Sequence, residues 1–74
     1  MFMYYTERLK ELRSIHGFTQ QDVANKLGLK REQYRRYEVG INEMKATHII
    51  KLCKLFHVSS DYLLGLSDDK NQVN

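Results

Sequence analysis

The chain has 74 residues, of which 42% are hydrophobic and none is proline. This length predicts one small domain whose core is just large enough to fold alone, without room for a separate ligand-sensing domain. The net charge is +3 at pH 7, and it is unevenly distributed: residues 1–40 contain eight Lys and Arg against five Asp and Glu, whereas residues 41–74 contain four of each. The excess favours a nucleic-acid partner, although three charges also lie within the ordinary scatter of surface charge.

Cysteine usage and hydropathy argue against a disulfide-stabilised protein and against a membrane protein. Cys53 is the only cysteine of the sequence, so no internal disulfide forms and a reducing compartment is expected. No apolar run is long enough to span a membrane, and the apolar segment 1–5 is too short for targeting. We therefore expect a cytoplasmic protein without membrane association, in which segment 1–5 either covers the core or joins a dimer contact.

The first predicted helix is amphipathic and ends at Gly17, after which Phe18 fills the junction to the next helix. Its stripe is expected to pack on the two helices that follow. The stripe consists of Tyr5, Leu9, Leu12 and Ile15.

A second helix is predicted to begin after Thr19, because Thr19 and Asp22 have the spacing of a capping box. Gly28 ends it, since the turn requires a positive φ that glycine adopts without strain. Ala24 is small enough to let another helix cross closely. The apolar stripe of this helix contains Val23, Ala24 and Leu27.

The third helix, about residues 31–38, gives the pair the form of a helix-turn-helix. Helical spacing predicts that Tyr34, Tyr37 and the following Ile41 face the core. The opposite face is charged, and Arg and Glu side chains can read guanine and cytosine edges. We interpret Arg31, Glu32, Arg36 and the neighbouring Gln33 as base-reading residues, and Lys26, Lys30 and Arg35 as phosphate-binding residues. The alternative, a merely solvated helix face, is disfavoured by the capped helix and the turn that precede it.

The remaining helices are predicted to be structural, which makes the fold all-α. A fourth helix over about 45–56 buries Ile49, Leu52, Cys53 and Phe56, and a short fifth helix capped by Ser59 contains Tyr62, Leu63 and Leu64 before Gly65. Residues 1–66 are assigned to this domain and the polar segment 67–74 to a flexible tail. A dimer surface is placed at Phe56, Val58, Tyr62, Leu66 and Val73, with completion of the core as the alternative.

An enzyme is not supported. Cys53 and His57 have a spacing compatible with metal ligation, but His16 and His48 add no pattern that completes a site. The Ser59 to Asp61 segment is more simply a helix cap than a nucleophile beside a carboxylate. Without a glycine-rich phosphate loop or paired carboxylates, neither a catalytic site nor a cofactor or metal site is predicted.

Four phrases, in order, resemble the DNA-binding domain of the phage-repressor group, the Cro-like or XRE helix-turn-helix family. They are ERLKELR, GFTQQDVANKLGL, RRYEVG and HVSSDYLLG, and they extend from Glu7 to Gly65. The resemblance implies a compact five-helix bundle whose third helix lies in the major groove, with Arg31, Glu32 and Arg36 at base-reading positions. It also implies that Gln20 grips a phosphate and braces the third helix.

The resemblance further implies an ion pair between Arg13 and Glu38, which joins the first and third helices. Three departures stand out. Lys30 replaces the usual Ser or Thr cap, which indicates either a phosphate partner or a poorly capped helix. Tyr34 replaces a branched aliphatic residue, and the loop over 41–44 lacks the usual basic residues. From that region Asn42 and Lys45 remain as phosphate-binding candidates.

Together these patterns predict a sequence-specific regulator that binds double-stranded DNA, most simply a repressor. It is expected to act as a homodimer on a palindromic operator with half-sites about one helical turn apart. The alternative is an antitoxin-like or other protein-interaction module of the same fold.

Overall fold

A computed structural model describes residues 4–70, and within this range the chain forms five helices and no strand. The helices are α1 (Tyr4–Ile15), α2 (Gln20–Leu27), α3 (Arg31–Glu38), α4 (Ala46–Phe56) and α5 (Ser60–Leu63). The predicted all-α fold of five helices is confirmed.

A single core lies between the helices. α2 packs mainly on α3, α1 packs on α3 and α5, and α4 packs on α5 and α2. The helical periodicity read from the sequence therefore places most of the core correctly. The buried apolar side chains are Leu9, Leu12, Val23, Ala24, Leu27, Tyr34, Tyr37, Leu52, Cys53, Phe56, Val58, Tyr62 and Leu63.

Two predicted core residues are exposed instead. Ile15 is 62% exposed and Ile41 is 59% exposed. Ile15 is the last residue of α1, and the chain turns at Gly17, so the apolar stripe runs off the end of the helix. Ile41 follows the end of α3, and the turn at Gly40, with φ of 82°, takes it away from the face that Tyr37 occupies. In both cases helical spacing was extended beyond the helix.

The predicted dimer surface is largely part of the core. Phe56, Val58 and Tyr62 are at most 6% exposed, so the alternative that they complete the core is correct for these three. Leu66 is 73% exposed, and Val73 lies outside the described residues. Residues 1–3 also lie outside them.

Arg8, which the sequence analysis did not single out, joins α1 to the end of α5. Its guanidinium carbon lies 3.8 Å from the centroid of the Tyr62 ring, and Nη1 donates a hydrogen bond of 2.8 Å to the carbonyl of Tyr62. Arg8 also contacts the carbonyl of Ser67 and the carboxylate of Asp68, both at 3.4 Å. The beginning of the segment assigned to the tail thus contacts the domain, and the boundary after residue 66 stays a prediction.

Candidate nucleic-acid interface

The helix-turn-helix begins with the predicted cap. Thr19 Oγ1 accepts a hydrogen bond of 3.0 Å from the Asp22 backbone, and Asp22 Oδ2 accepts one of 2.8 Å from the Thr19 backbone. The bond from the Thr19 backbone N–H, with a smaller contribution from the Thr19 hydroxyl, lowers the pKa of Asp22. Gly28 ends α2 in the left-handed region, with φ of 74°, as its position in the sequence indicated. Together the cap and the turn fix where α3 starts relative to α2.

α3 has one buried face and one exposed face. Tyr34, Tyr37 and Glu38 are buried, and Tyr37 additionally shares a hydrogen bond of 2.7 Å between its hydroxyl and Nδ1 of His48 on α4. Arg31, Glu32, Gln33 and Arg36 are exposed, and Arg35 is half-buried. The side chains that sequence analysis assigned to base reading therefore share the outer surface of a helix that the core holds on its other side.

The start of α3 is capped by Gln33 rather than by Lys30. Gln33 Oε1 accepts a hydrogen bond of 2.9 Å from the backbone N–H of Lys30, as the third residue of a capping box does. The role predicted for Gln33 from the sequence is base reading alone, although its spacing from Lys30 contains the capping signal. The exposed ammonium group of Lys30 is not needed for the cap and stays available to a phosphate.

A chain of hydrogen bonds connects the buried end of α3 to its exposed start. Arg13 donates to both oxygens of Glu38, through Nε at 2.6 Å and Nη2 at 3.1 Å. Gln20 donates from Nε2 to Glu38 Oε1 at 3.1 Å, and its own Oε1 accepts a bond of 3.3 Å from Arg31 Nη1. The Arg13–Glu38 pair is present as the resemblance implied, and Gln20 contacts α3 at two points.

Glu38 is 1% exposed but remains a carboxylate. Burial alone would raise its pKa, but the hydrogen bonds from its neighbours, of which the one from Arg13 is the strongest, outweigh burial and lower the pKa. Tyr34 lies beside this pair. Burial, reinforced by the nearby Glu38 charge, raises the pKa of the Tyr34 phenol, yet its hydroxyl forms no hydrogen bond of ordinary geometry within residues 4–70.

Glu32 is engaged by two arginines on the outer surface of α3. Arg35 binds it through two parallel hydrogen bonds, from Nε to Oε1 at 2.8 Å and from Nη2 to Oε2 at 2.7 Å. Arg36 Nε lies 3.5 Å from the same Oε2. The hydrogen bonds from Arg35, with the charges of both arginines, lower the pKa of Glu32 to about 2. The roles predicted from the sequence are separate for these three side chains, so the cluster is a finding of the structure.

The other phosphate-binding candidates precede or follow α3 in the chain. Lys26 is exposed on the last turn of α2, with Nζ 5.7 Å from the centroid of the Phe18 ring. Asn42 and Lys45 are exposed in and after the loop that follows α3, and Lys45 precedes the first residue of α4. Lys26 thus precedes α3 in the chain, and Asn42 and Lys45 follow it.

A helix-turn-helix family model matches residues 9–63, most of the chain. This chain belongs to the XRE-type helix-turn-helix family. It is 37% identical over 65 residues to YobD of Bacillus subtilis, an uncharacterized HTH-type transcriptional regulator, with 88% of this chain and 58% of YobD covered. It is 39% identical over 68 residues to ImmR, another HTH-type transcriptional regulator of Bacillus subtilis, with 92% of this chain and 53% of ImmR covered.

The fold is also similar to that of a solved structure, a transcriptional regulator from Listeria innocua. The TM-score is 0.78 at 28% identity, and the match covers 82% of this chain and 57% of that one. The chain thus spans little more than half the length of each of these three relatives. All three are named as transcriptional regulators.

Two further observations concern membranes and metals. None of the helices between residues 4 and 70 has both the length and the apolar character needed to cross a bilayer. In the same part of the chain, no three His, Cys, Asp or Glu side chains are grouped as metal ligands would be. Cys53 is buried, and burial raises the pKa of its thiol.

Proposed function

We propose that this domain is a sequence-specific double-stranded DNA-binding module of a transcriptional regulator, and that α3 enters the major groove. The observation that carries the proposal is the two-sided character of α3. Its inner face is fixed in the core by Tyr34 and Tyr37, while Arg31 and Arg36 are exposed on its outer face. A helix held in this way is a rigid support for side chains that read bases.

Arg31 and Arg36 are the proposed guanine readers, because a guanidinium can donate to O6 and N7 of guanine together. Gln20 supports this role for Arg31, since its amide oxygen already holds the guanidinium at the start of α3. Gln33 is the other proposed base contact. The proposed phosphate contacts set the register of the domain on the duplex. They are Gln20, Lys26, Lys30, Asn42 and Lys45, whereas Arg35 could reach a phosphate only after leaving Glu32.

A homodimer on a palindromic operator is the proposed assembly. Each domain carries one reading helix of eight residues, which reaches only a few base pairs. Two copies related by twofold symmetry double the number of base contacts and place their helices about one helical turn apart. Repression is the proposed outcome. A protein bound at a promoter blocks access of the polymerase by occupancy alone, and no contact with the polymerase is required.

The test is selection of bound sequences from a random duplex pool, which reports preference, symmetry and half-site spacing together. A palindromic motif is expected. Arg36→Ala should weaken binding to the selected site by roughly 1–3 kcal/mol and relax the preference at one base pair. Lys54→Ala, a change of equal charge at an exposed position on α4, serves as the matched control.

Equal loss of affinity on every sequence would assign Arg36 to a phosphate instead. A protein that selects no sequence from the pool would contradict the proposed function. It would favour the protein-interaction module of the same fold.

A further inference from the structure

The outer face of α3 presents its arginines in two different settings. Arg31 is held by the neutral amide of Gln20 at 3.3 Å. Arg35 and Arg36 instead share the carboxylate of Glu32, whose two oxygens lie 2.7 to 3.5 Å from their nitrogens. Glu32 is exposed, so this carboxylate stands on the surface that the proposed function assigns to DNA.

We infer that Glu32 is a specificity-determining positioning residue, which withholds Arg35 from phosphates and orients Arg36 toward a base. The inference rests on the proposed function and deepens it. Glu32 would then act through its two neighbouring arginines rather than by accepting a hydrogen bond from cytosine. Its carboxylate competes for the guanidinium of Arg35 with the phosphate groups, which are present in every DNA sequence.

The contact to Arg35 occupies the edge that a phosphate would use. Nε and Nη2 of Arg35 form two parallel bonds to Glu32, which is the same fork geometry by which arginine binds phosphate. A phosphate must therefore displace the carboxylate before it can bind this edge. Binding to random DNA depends mainly on phosphate contacts. Competition between Glu32 and a phosphate for Arg35 therefore weakens the binding of random DNA.

The contact to Arg36 leaves its other edge open. The contact joins Nε of Arg36 to Oε2 of Glu32, at 3.5 Å, and Nη1 and Nη2 form no hydrogen bond of ordinary geometry within the described chain. Those two terminal nitrogens can donate together to guanine O6 and N7 while Nε stays beside the carboxylate. When Arg36 binds the correct base, its contact with Glu32 is therefore kept. When Arg36 rotates toward a phosphate, that contact is lost.

The net charge of the cluster points the same way. Two arginines with one glutamate carry one positive charge, so the outer face of α3 attracts DNA less than its arginines alone would. Removal of the carboxylate should strengthen binding to any duplex and reduce the preference for the correct one. Glu32 is thus expected to lower affinity for random DNA and to raise the ratio of specific to random binding.

The experiment compares Glu32→Gln with the unchanged chain on a random duplex and on the selected site, each across a series of salt concentrations. Binding to the random duplex should become tighter by about three- to tenfold, and its salt dependence should steepen by about one unit in log K against log salt. The selected site should gain less, so the specificity ratio falls. Glu7→Gln removes an equal charge from an exposed position on α1 and is expected to have a smaller effect.

A second variant separates pairing from long-range charge. In an Arg35→Gln background, the added Glu32→Gln change should no longer tighten binding to the random duplex by the full factor, because the masked guanidinium is absent. An undiminished gain in that background would show a simple charge effect and overturn the inference. So would unchanged random binding together with a relaxed preference at one base pair, which would make Glu32 a direct reader of a base.

The two proposals fail in different ways. If the unchanged chain binds duplexes without preferring any sequence, the proposed function fails, while the random-duplex comparison still reports whether Glu32 masks Arg35. An NMR titration of the Glu32 carboxyl group gives a readout without DNA, with a pKa near 2 that rises toward its ordinary value of 4.5 in Arg35→Gln. An ordinary pKa in the unchanged chain would refute the pairing itself.

Discussion

Replacement of Glu38 by glutamine should destabilise the domain strongly while preserving the volume of the side chain. The carboxylate is 1% exposed and accepts bonds from Arg13 at 2.6 and 3.1 Å and from Gln20 at 3.1 Å. A bond to a charged partner contributes about 1 kcal/mol more than a neutral bond. In glutamine one of the two carboxylate oxygens becomes an NH2 group that cannot accept from Arg13, so one bond is lost and the other loses the charge of its acceptor, at a combined cost of about 2 kcal/mol. For a domain of this size, that corresponds to a melting temperature lower by about 8–16 °C.

The assays are urea denaturation and thermal unfolding at pH 7, with Glu7→Gln as a control that removes an exposed carboxylate of α1. The urea midpoint should fall for Glu38→Gln while the slope of the transition stays the same. A melting temperature within about 2 °C of that of the unchanged chain would refute the assignment of Glu38 as the charged centre of the core.

The same ion pair predicts how stability depends on pH. Because the pKa of Glu38 is lower in the folded state than its ordinary value of 4.5, the pair contributes its full stabilisation above that pH. The contribution is lost as the pH falls from 4.5 through the lower folded value. Glu38→Gln should therefore reduce the loss of stability in acid. An acid transition as steep in the variant as in the unchanged chain would show that other carboxylates dominate it.

Three further substitutions test the local structure, each by urea denaturation. Thr19→Ala removes the cap of α2 and should cost about 1 kcal/mol, whereas an unchanged midpoint would show that the cap is dispensable. Gly28→Ala should lower the free energy of unfolding by about 1–2 kcal/mol through backbone strain alone, since a Cβ there meets no atom within 4 Å. Gly28→Asn should lower it less, because asparagine tolerates the left-handed region better than alanine. Equal losses for the two variants would contradict this explanation. Arg8→Ala should lower the free energy of unfolding by about 1.5 kcal/mol, because it removes the contacts with Tyr62. Arg8→Lys should restore only part of this loss. Full restoration by lysine would show that stacking of the guanidinium on the Tyr62 ring does not contribute.

Much of the fold could be predicted from the sequence because its signals are local. A cap such as Thr19 with Asp22, or a glycine such as Gly28, is read from residues three or four positions apart. The inward faces of the helices follow from the same short-range spacing. Ile15 and Ile41 were wrongly placed in the core where a turn ended the periodicity, and periodicity alone does not show where a helix ends.

The candidate site could be predicted in part. The outward position of Arg31 and Arg36 follows from helical spacing once Tyr34 and Tyr37 are known to face inward. The pairing of Glu32 with Arg35 and Arg36 has a signal, since opposite charges three and four residues apart on a helix attract. The contact of Arg8 with Tyr62 joins residues 54 positions apart, and no spacing rule reaches that far.

The separation of the two faces of α3 bears on how such a domain can change its target. Residues 31, 32 and 36 are exposed, so under the proposed function substitutions there would alter which operator is recognised while the folded scaffold keeps its stability. Gln20 is the exception in this division, because it touches both the buried Glu38 and the exposed Arg31. Exchange of outer residues at positions 32 and 36 should therefore leave the core undisturbed, with the two positions changing together because Glu32 contacts Arg36, whereas position 31 changes in concert with position 20.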